Sequence, residues 1–174
     1  MSRVGSRAVV RSLAVCAVGV IGVGVAFAVT APILKSSKAP KLGSIVVNGK
    51  GLTVYHASSE KSGKIVCKGN CLYFWFPVMA GKGKVVAGKG LSQAKLGTTK
   101  RPNGLQVTYN GFPLYRYYKD KKPGQFRGQG VKDPAGKWYV LSTSGKTVTT
   151  PAPTGSGTGT TGTSTGSTTT VIGY

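Results

Sequence analysis

The chain has 174 residues, of which 24 are Lys or Arg, three are Asp or Glu and one is His, so its formal net charge is +21 at pH 7. That length allows one domain once two unusual ends are set aside. One His and one close Cys pair cannot fill a tetrahedral metal site, and a Ser or Cys nucleophile lacks an adequate base and orienting acid, so the composition argues against metal-dependent and triad-type enzymes.

The first 34 residues are predicted to be a signal peptide or a membrane anchor. Three arginines among the first 11 residues precede an uncharged apolar run over residues 12–34, which is the pattern of an export signal. Ala26 and Ala28 provide a small-residue cleavage site, but the run also exceeds the roughly 20 apolar residues that span a bilayer. Lipidation at Cys16 is the less favoured alternative. The rest of the chain is expected outside the cytoplasm, secreted or anchored at the bacterial cell surface.

Three further segments follow this export signal. Residues 35–42 are predicted to be a linker, and residues 43–146 to form a β domain. Residues 147–174 contain no charged side chain and consist almost entirely of Thr, Gly, Ser and Pro. Such a segment buries too little apolar area to offset its ordering entropy, so we expect a disordered tail.

Within the β domain, short runs of β-favouring residues alternate with turn signals, and no stretch has helical spacing over three turns. In chain order the runs are SIVV, LTVY, LYFWFPVM, KVVAG, LQVTY, FPLYRYY and KWYVLS. This pattern predicts an all-β fold, sandwich or barrel-like, built from short strands and tight turns.

The clearest element is a hairpin around Asn110 and Gly111. An Asn-Gly pair between two β runs predicts a type I′ turn, because both turn positions need positive φ. In that register Val107 faces Leu114. Pro113, which has no N–H, is then expected at a position that donates no ladder hydrogen bond.

The β domain contains two degenerate repeats, at about residues 43–80 and 96–142. In each repeat a Tyr is followed five positions later by an acid and then Lys, and a Trp follows 20 or 23 positions after the Tyr. The matched pairs are Tyr55 with Tyr115, Glu60 with Asp120, and Trp75 with Trp138. Because two of only three acids occupy the same repeat position, we infer that the position has a specific role.

Tyr115, Tyr117 and Asp120 fit the motif Tyr-x-(Phe/Trp/Tyr)-x-x-Asp, and the first repeat carries a Cys-x-Gly-x-Cys segment followed by Trp-x-Pro. These motifs resemble a family of secreted or lipid-anchored bacterial repeat proteins of unknown function. The resemblance covers roughly residues 43–142 and implies an exported repeat β fold, but no activity. The first repeat departs from the motif, with Ala57 at the aromatic position and Glu60 in place of Asp.

Cys67 and Cys71 are expected to form a structural disulfide, because two cysteines four positions apart outside the cytoplasm oxidise readily. A metal site is the alternative. We expect the disulfide to hold its loop against Trp75.

Glu60 and Asp120 allow two interpretations. They resemble the paired carboxylates of glycosidases, which flank one bond at separations of about 5–9.5 Å. Each also follows a strand and precedes Lys and Gly, where an acid accepts backbone N–H groups in a turn. We favour the turn role, and we expect the neighbouring lysines to lower the pKa of both acids.

Alternation along a strand sends Tyr115 and Tyr117 to one face and Leu114 and Tyr118 to the other. Half of the rings in this region are therefore expected in the core. The candidate aromatic surface for binding sugars or bases consists of Tyr109, Phe112, Tyr118 and Trp138.

Residues 35–146 hold 21 basic and three acidic side chains, a net charge of +18. Such density indicates a polyanionic partner or an acidic medium. Export favours anionic wall polymers or lipid headgroups over nucleic acid, although a solvated basic surface without a ligand is the simpler alternative. We therefore predict a non-enzymatic, cofactor-free binding or structural module at the cell surface. The alternative is a small extracytoplasmic enzyme or redox accessory that uses Glu60 and Asp120 or the cysteine pair.

Overall fold

The computed structural model describes residues 32–82 and 84–152. The predicted signal peptide or anchor, Cys16 and most of the predicted tail lie outside the described residues. Within the two described ranges, no helix combines the length and apolarity needed to cross a membrane.

The predicted all-β class is confirmed. The part of the chain described contains ten strands: β1 (Leu34–Ala39), β2 (Gly43–Asn48), β3 (Tyr55–Ala57), β4 (Trp75–Pro77), β5 (Leu96–Arg101), β6 (Gly104–Tyr109), β7 (Phe112–Pro113), β8 (Tyr115–Tyr117), β9 (Lys132–Asp133) and β10 (Gly136–Val140). Two 3-10 helices, Gly69–Tyr73 and Gln93–Lys95, complete the regular structure of these residues.

Each repeat begins with an antiparallel hairpin, β1–β2 in the first and β5–β6 in the second. β1 includes most of the predicted linker. These residues form a strand because they pair with β2 from Leu34 to Ala39, and the side chains at both ends of β1 are buried.

The β6–β7 turn has the predicted geometry. Asn110 and Gly111 have φ of 51° and 81°, as a type I′ turn requires. The Leu114 N–H donates to the Val107 carbonyl at 3.0 Å. Pro113 pairs with Thr108, one position closer to the turn. Pro113 therefore occupies the non-hydrogen-bonded pair of this hairpin, where no ladder donor is needed.

The central sheet has the order β4-β8-β3-β10-β9 and shows that the two repeats exchange strands. At its middle Tyr55 pairs with Tyr115, so equivalent residues of the two repeats face each other. On one side β4 of the first repeat pairs with β8 of the second. On the other side β10 of the second repeat pairs with β3 of the first. Each Trp strand therefore lies against the Tyr strand of the other repeat.

The exchange continues beyond the Trp strands. The Val107 N–H of the second hairpin donates to the Val78 carbonyl at 2.8 Å, and the Val46 N–H of the first donates to the Leu141 carbonyl at 2.9 Å. Val78 and Leu141 each lie three positions after the Trp of their own repeat. The two halves are therefore related by an approximate twofold arrangement in which each completes the other.

Two apolar cores fill the space between the sheets. The first is aromatic: the rings of Trp75 and Trp138 stack with centroids 3.8 Å apart and planes at 10°, and Tyr55 and Tyr115 contact them edge-on. Beyond area burial, such ring pairs contribute about 0.5–1.5 kcal/mol each. The second core is mainly aliphatic, includes Leu114 and also contains the Tyr109 ring. Tyr115 and Leu114 thus point to opposite sides of their strand, as alternation predicts.

The run LYFWFPVM does not form one continuous strand. Its first residues end the 3-10 helix Gly69–Tyr73, and only Trp75–Pro77 is extended. The cause is local, because the helix contains Cys71, whose disulfide partner lies four positions earlier. The predicted strand KVVAG is also absent from the described residues, and only Ala87 forms a bridge, to Leu34.

This exchange of strands predicts that neither repeat folds alone. We expect chains covering residues 32–91 or 92–152 to show no cooperative thermal transition by circular dichroism, because each Tyr strand then lacks the Trp strand that covers it. An equimolar mixture should regain the strand signal and one transition. A cooperative transition in either half alone contradicts this prediction.

Candidate functional site

The two matched acids are buried and accept hydrogen bonds from backbone N–H groups. Glu60 is fully buried, and its Oε1 accepts from the Val66 N–H at 2.6 Å and the Cys67 N–H at 2.7 Å. The Oδ1 of Asp120 accepts from the Arg127 N–H at 3.0 Å. Both acids therefore hold the loop that follows their own strand, which is the turn role expected from the sequence.

Each acid also binds a tyrosine of the other repeat. The Tyr115 hydroxyl donates to Glu60 Oε1 at 3.0 Å, and the Tyr55 hydroxyl donates to Asp120 Oδ2 at 2.5 Å. These reciprocal hydrogen bonds join residues 55 and 65 positions apart. We call the four side chains the tyrosine–acid cluster. It unites the motif residues of both repeats in the interior, except Tyr117, whose ring packs on Trp75 at 4.4 Å.

Burial controls the ionisation of this cluster. It raises the pKa of Asp120, although the hydrogen bonds from Tyr55 and the Arg127 N–H act in the opposite direction. The expectation that lysines lower the pKa of both acids is therefore wrong for Asp120, because the effect of burial outweighs that of the hydrogen bonds and of the Arg127 charge. Burial and the adjacent carboxylates also raise the pKa of Tyr55 and of Tyr115, so both phenols remain donors.

Arg101 places a positive charge beside the cluster. Its Nη2 donates to the Tyr115 hydroxyl at 2.7 Å and to the Cys67 carbonyl at 3.1 Å, and its Nε donates to Gln106 Oε1 at 2.5 Å. A hydroxyl that accepts from a guanidinium while donating to a carboxylate belongs to a charge-assisted network. This role of Arg101 was not predicted from the sequence, because the partners of Arg101 are distant along the chain.

The third acid, Asp133, also has a structural role. Its Oδ2 accepts from Trp75 Nε1 at 2.8 Å and its Oδ1 from the Ala135 N–H at 2.8 Å. All three acids of the chain are therefore engaged as acceptors within the fold. Trp138, the repeat partner of Trp75, has a buried Nε1 without a hydrogen-bond partner.

Cys67 and Cys71 form the predicted disulfide, with their Cα atoms 5.4 Å apart. The Cys67 N–H is one of the Glu60 donors, so this acid and the disulfide together hold the loop that leads to Trp75. Among residues 32–82 and 84–152, no group of three or more His, Cys, Asp or Glu is placed to hold a metal ion.

The predicted aromatic surface is found only in part. Tyr109 and Trp138 are fully buried. Strand alternation turns the Trp138 ring into the first core and the Tyr109 ring into the second. Phe112 packs on the His56 ring at 4.3 Å, and Tyr118 is half-buried. The strongly exposed rings are instead Tyr73 (74 %) and Phe74 (48 %).

Tyr73 and Phe74 lie at the end of the disulfide loop, which we define as residues 67–74. Their exposure follows from the 3-10 helix, which interrupts the alternation of a strand and leaves both rings outside. The exposure of Tyr73 and Phe74 was not predicted, because the run LYFWFPVM was assigned to a strand.

Two surface grooves flank the disulfide loop. The cationic groove, about 480 Å³ in volume, includes Lys68, Lys100 and Arg101 in its lining. The aromatic groove, about 640 Å³ in volume, includes Lys68 and Phe74. Neither Glu60 nor Asp120 lines either groove, so the paired carboxylates have no access to a substrate through them.

Residues 97–142 match the model of a family described as a secreted repeat of unknown function. The match begins in β5 and ends after β10, and it confirms the family resemblance carried by the second repeat. The description supports an extracytoplasmic location. Neither the curated proteins nor the solved structures that were searched contain a match to the chain.

The tyrosine–acid cluster predicts a specific loss of stability. Tyr115→Phe removes the hydroxyl that bonds both Glu60 and Arg101, and we expect the free energy of unfolding to fall by about 1–3 kcal/mol. Tyr118→Phe, at the half-buried ring three positions away, is the matched control and should change it by less than about 0.5 kcal/mol. Urea titrations measure both, and equal effects would contradict the role of the cluster.

His56 predicts a pH dependence. It is buried, its Nε2 lies 3.0 Å from the Thr147 hydroxyl, and desolvation lowers its pKa from 6.5 to about 4. The unfolded chain therefore binds the proton more tightly than the folded one. His56 should favour folding above about pH 6.5, and this contribution to the free energy of unfolding, on the order of 3 kcal/mol, should be lost as the pH falls to about 4.

His56→Gln isolates this contribution, since Asp120, whose raised pKa acts in the opposite direction, is present in both proteins. Urea midpoints between pH 7 and pH 4 should fall more steeply for the original chain than for His56→Gln. Parallel curves would show that His56 does not titrate as described.

Proposed function

We propose that the chain is an exported binding module that associates with anionic polymers of the cell envelope through its lysine-rich surface. The family description supports the extracytoplasmic part of this proposal. The polymer partner is inferred from charge and its placement.

The observation that carries the proposal is the separation of acids from bases. Glu60 and Asp120 are buried, and Asp133 is half-buried with both carboxylate oxygens accepting hydrogen bonds. Of the 18 lysines, 16 are exposed. No exposed residue among those described is acidic, so apart from the half-buried Asp133 the surface lysines have no carboxylate near the surface to offset their charge.

Such a surface costs stability through self-repulsion, and a polyanion that binds it relieves the repulsion. The exposed lysines occur in all parts of the described chain, in hairpins, loops and the segments between repeats. A long flexible polymer that wraps several faces fits this distribution better than a small ligand at one point. The fold supplies a stable scaffold on which the charges are held apart.

Retention on isolated cell envelopes should therefore depend steeply on salt. Screening shortens the Debye length from about 8 Å at 0.15 M to about 3 Å at 1 M, so we expect most of the bound protein to be released over that range in a sedimentation assay. Retention that does not change with salt contradicts the proposal. A secreted protein of similar size and acidic pI is the control for trapping.

A further inference from the structure

The cationic groove contains a positive charge that is held in place. Lys68, Lys100 and Arg101 line it, and no acid is among its lining residues. The Arg101 guanidinium is fixed by the Tyr115 hydroxyl and the Cys67 carbonyl. Lys68 lies in the loop closed by the disulfide. Positions that are ordered before binding lose less conformational entropy when an anion arrives.

The aromatic groove lies on the other side of the same loop and shares Lys68 with the cationic groove. Phe74 lines it and meets the Tyr118 ring edge-on at 5.3 Å, and Tyr73 is the most exposed large apolar side chain of the described residues. Asp133 also lines this groove, but its oxygens accept from Trp75 and the Ala135 N–H. Exposed rings beside a groove offer flat apolar faces for stacking.

We propose that the disulfide loop is the recognition element for an anionic polysaccharide. The acidic groups of the polymer bind in the cationic groove, and its sugar rings stack on Tyr73 and Phe74. This inference rests on the proposed function and assigns it a specific place. Lys68, Tyr73 and Phe74 belong to one short loop that the disulfide and Glu60 hold beside Lys100 and Arg101 of β5, so charge and ring recognition are coupled in a fixed geometry.

A polysaccharide fits this surface better than a lipid bilayer. An extended polymer can lie along a concave groove, whereas a flat membrane surface cannot enter it. The loop also carries polar residues: Lys68 lines both grooves, and Asn70 lines the aromatic groove. Charge alone would suit any polyanion, and the exposed rings provide the part of the recognition that requires a sugar.

The test measures binding of the full-length protein to two soluble polymers by calorimetry. Oligogalacturonate carries carboxylates on sugar rings, and polyphosphate carries charge without rings. We expect the double variant Tyr73→Ala/Phe74→Ala to bind oligogalacturonate roughly tenfold more weakly and polyphosphate with unchanged affinity. Leu105→Ala, at an exposed apolar residue outside both grooves, should change neither affinity.

A second pair of variants tests the cationic groove. Lys68→Ala/Lys100→Ala should weaken binding of both polymers by a larger factor than Lys38→Ala/Lys122→Ala, which removes the same charge from exposed lysines outside the grooves. Unchanged thermal midpoints show that the variants are folded. The aromatic pair and the lysine pairs therefore separate stacking from charge.

Three outcomes overturn the inference. Equal losses for the two lysine pairs, with the aromatic variant binding normally, leave the proposed function intact but show no localised site. Phosphatidylglycerol vesicles that bind through Tyr73 and Phe74, while oligogalacturonate does not bind, identify a membrane surface as the partner. Absence of salt-sensitive binding to either polymer removes the proposed function as well.

Discussion

The structure depends on two buried hydrogen bonds in which a tyrosine of one repeat donates to the acid of the other. A buried carboxylate whose oxygens accept no hydrogen bonds is costly in a low-dielectric interior. Glu60 and Asp120 therefore each need donors that only the folded chain supplies. Backbone N–H groups of the following loop and the hydroxyl of Tyr115 or Tyr55 provide these donors, while the buried Oε2 of Glu60 has no hydrogen-bond partner. The two carboxylates thereby link the structure of the local loop to the association of the repeats. Glu60 does so through one oxygen, Oε1, and Asp120 through both of its oxygens.

The features that could be predicted are those whose partners are close along the chain. The Asn110-Gly111 turn, the Cys67–Cys71 disulfide and the use of an acid in a turn all follow from the chemistry of neighbouring residues. The contacts between Tyr55 and Asp120 and between Trp75 and Trp138 could not be derived in this way, since they require strand exchange between repeats. Tyr73 and Phe74 were misassigned because β propensity favours a strand there, whereas the disulfide-closed helical turn determines the backbone.

The distribution of charge follows from the same interior. A chain with three acids uses them where an acceptor is needed, and the exposed residues among those described consequently include many bases but no acid. Arg101 is the cation that joins the two regions, since it lines a surface groove and contacts the tyrosine–acid cluster. A ligand in that groove would therefore contact a side chain that also stabilises the joint between repeats. Binding and stability are coupled at this residue.

The exchanged strands also limit how many repeats such a chain can contain. In a lone repeat, the Tyr strand has a free edge, and the Trp strand lacks the Tyr strand with which it pairs. Exposed edges of this kind recruit other chains and promote aggregation. A second repeat gives both strands these partners at once, and a third would again be without one. Architectures built on this exchange are therefore expected to grow by pairs, so two is the smallest number of repeats in which each Tyr strand is paired with a Trp strand.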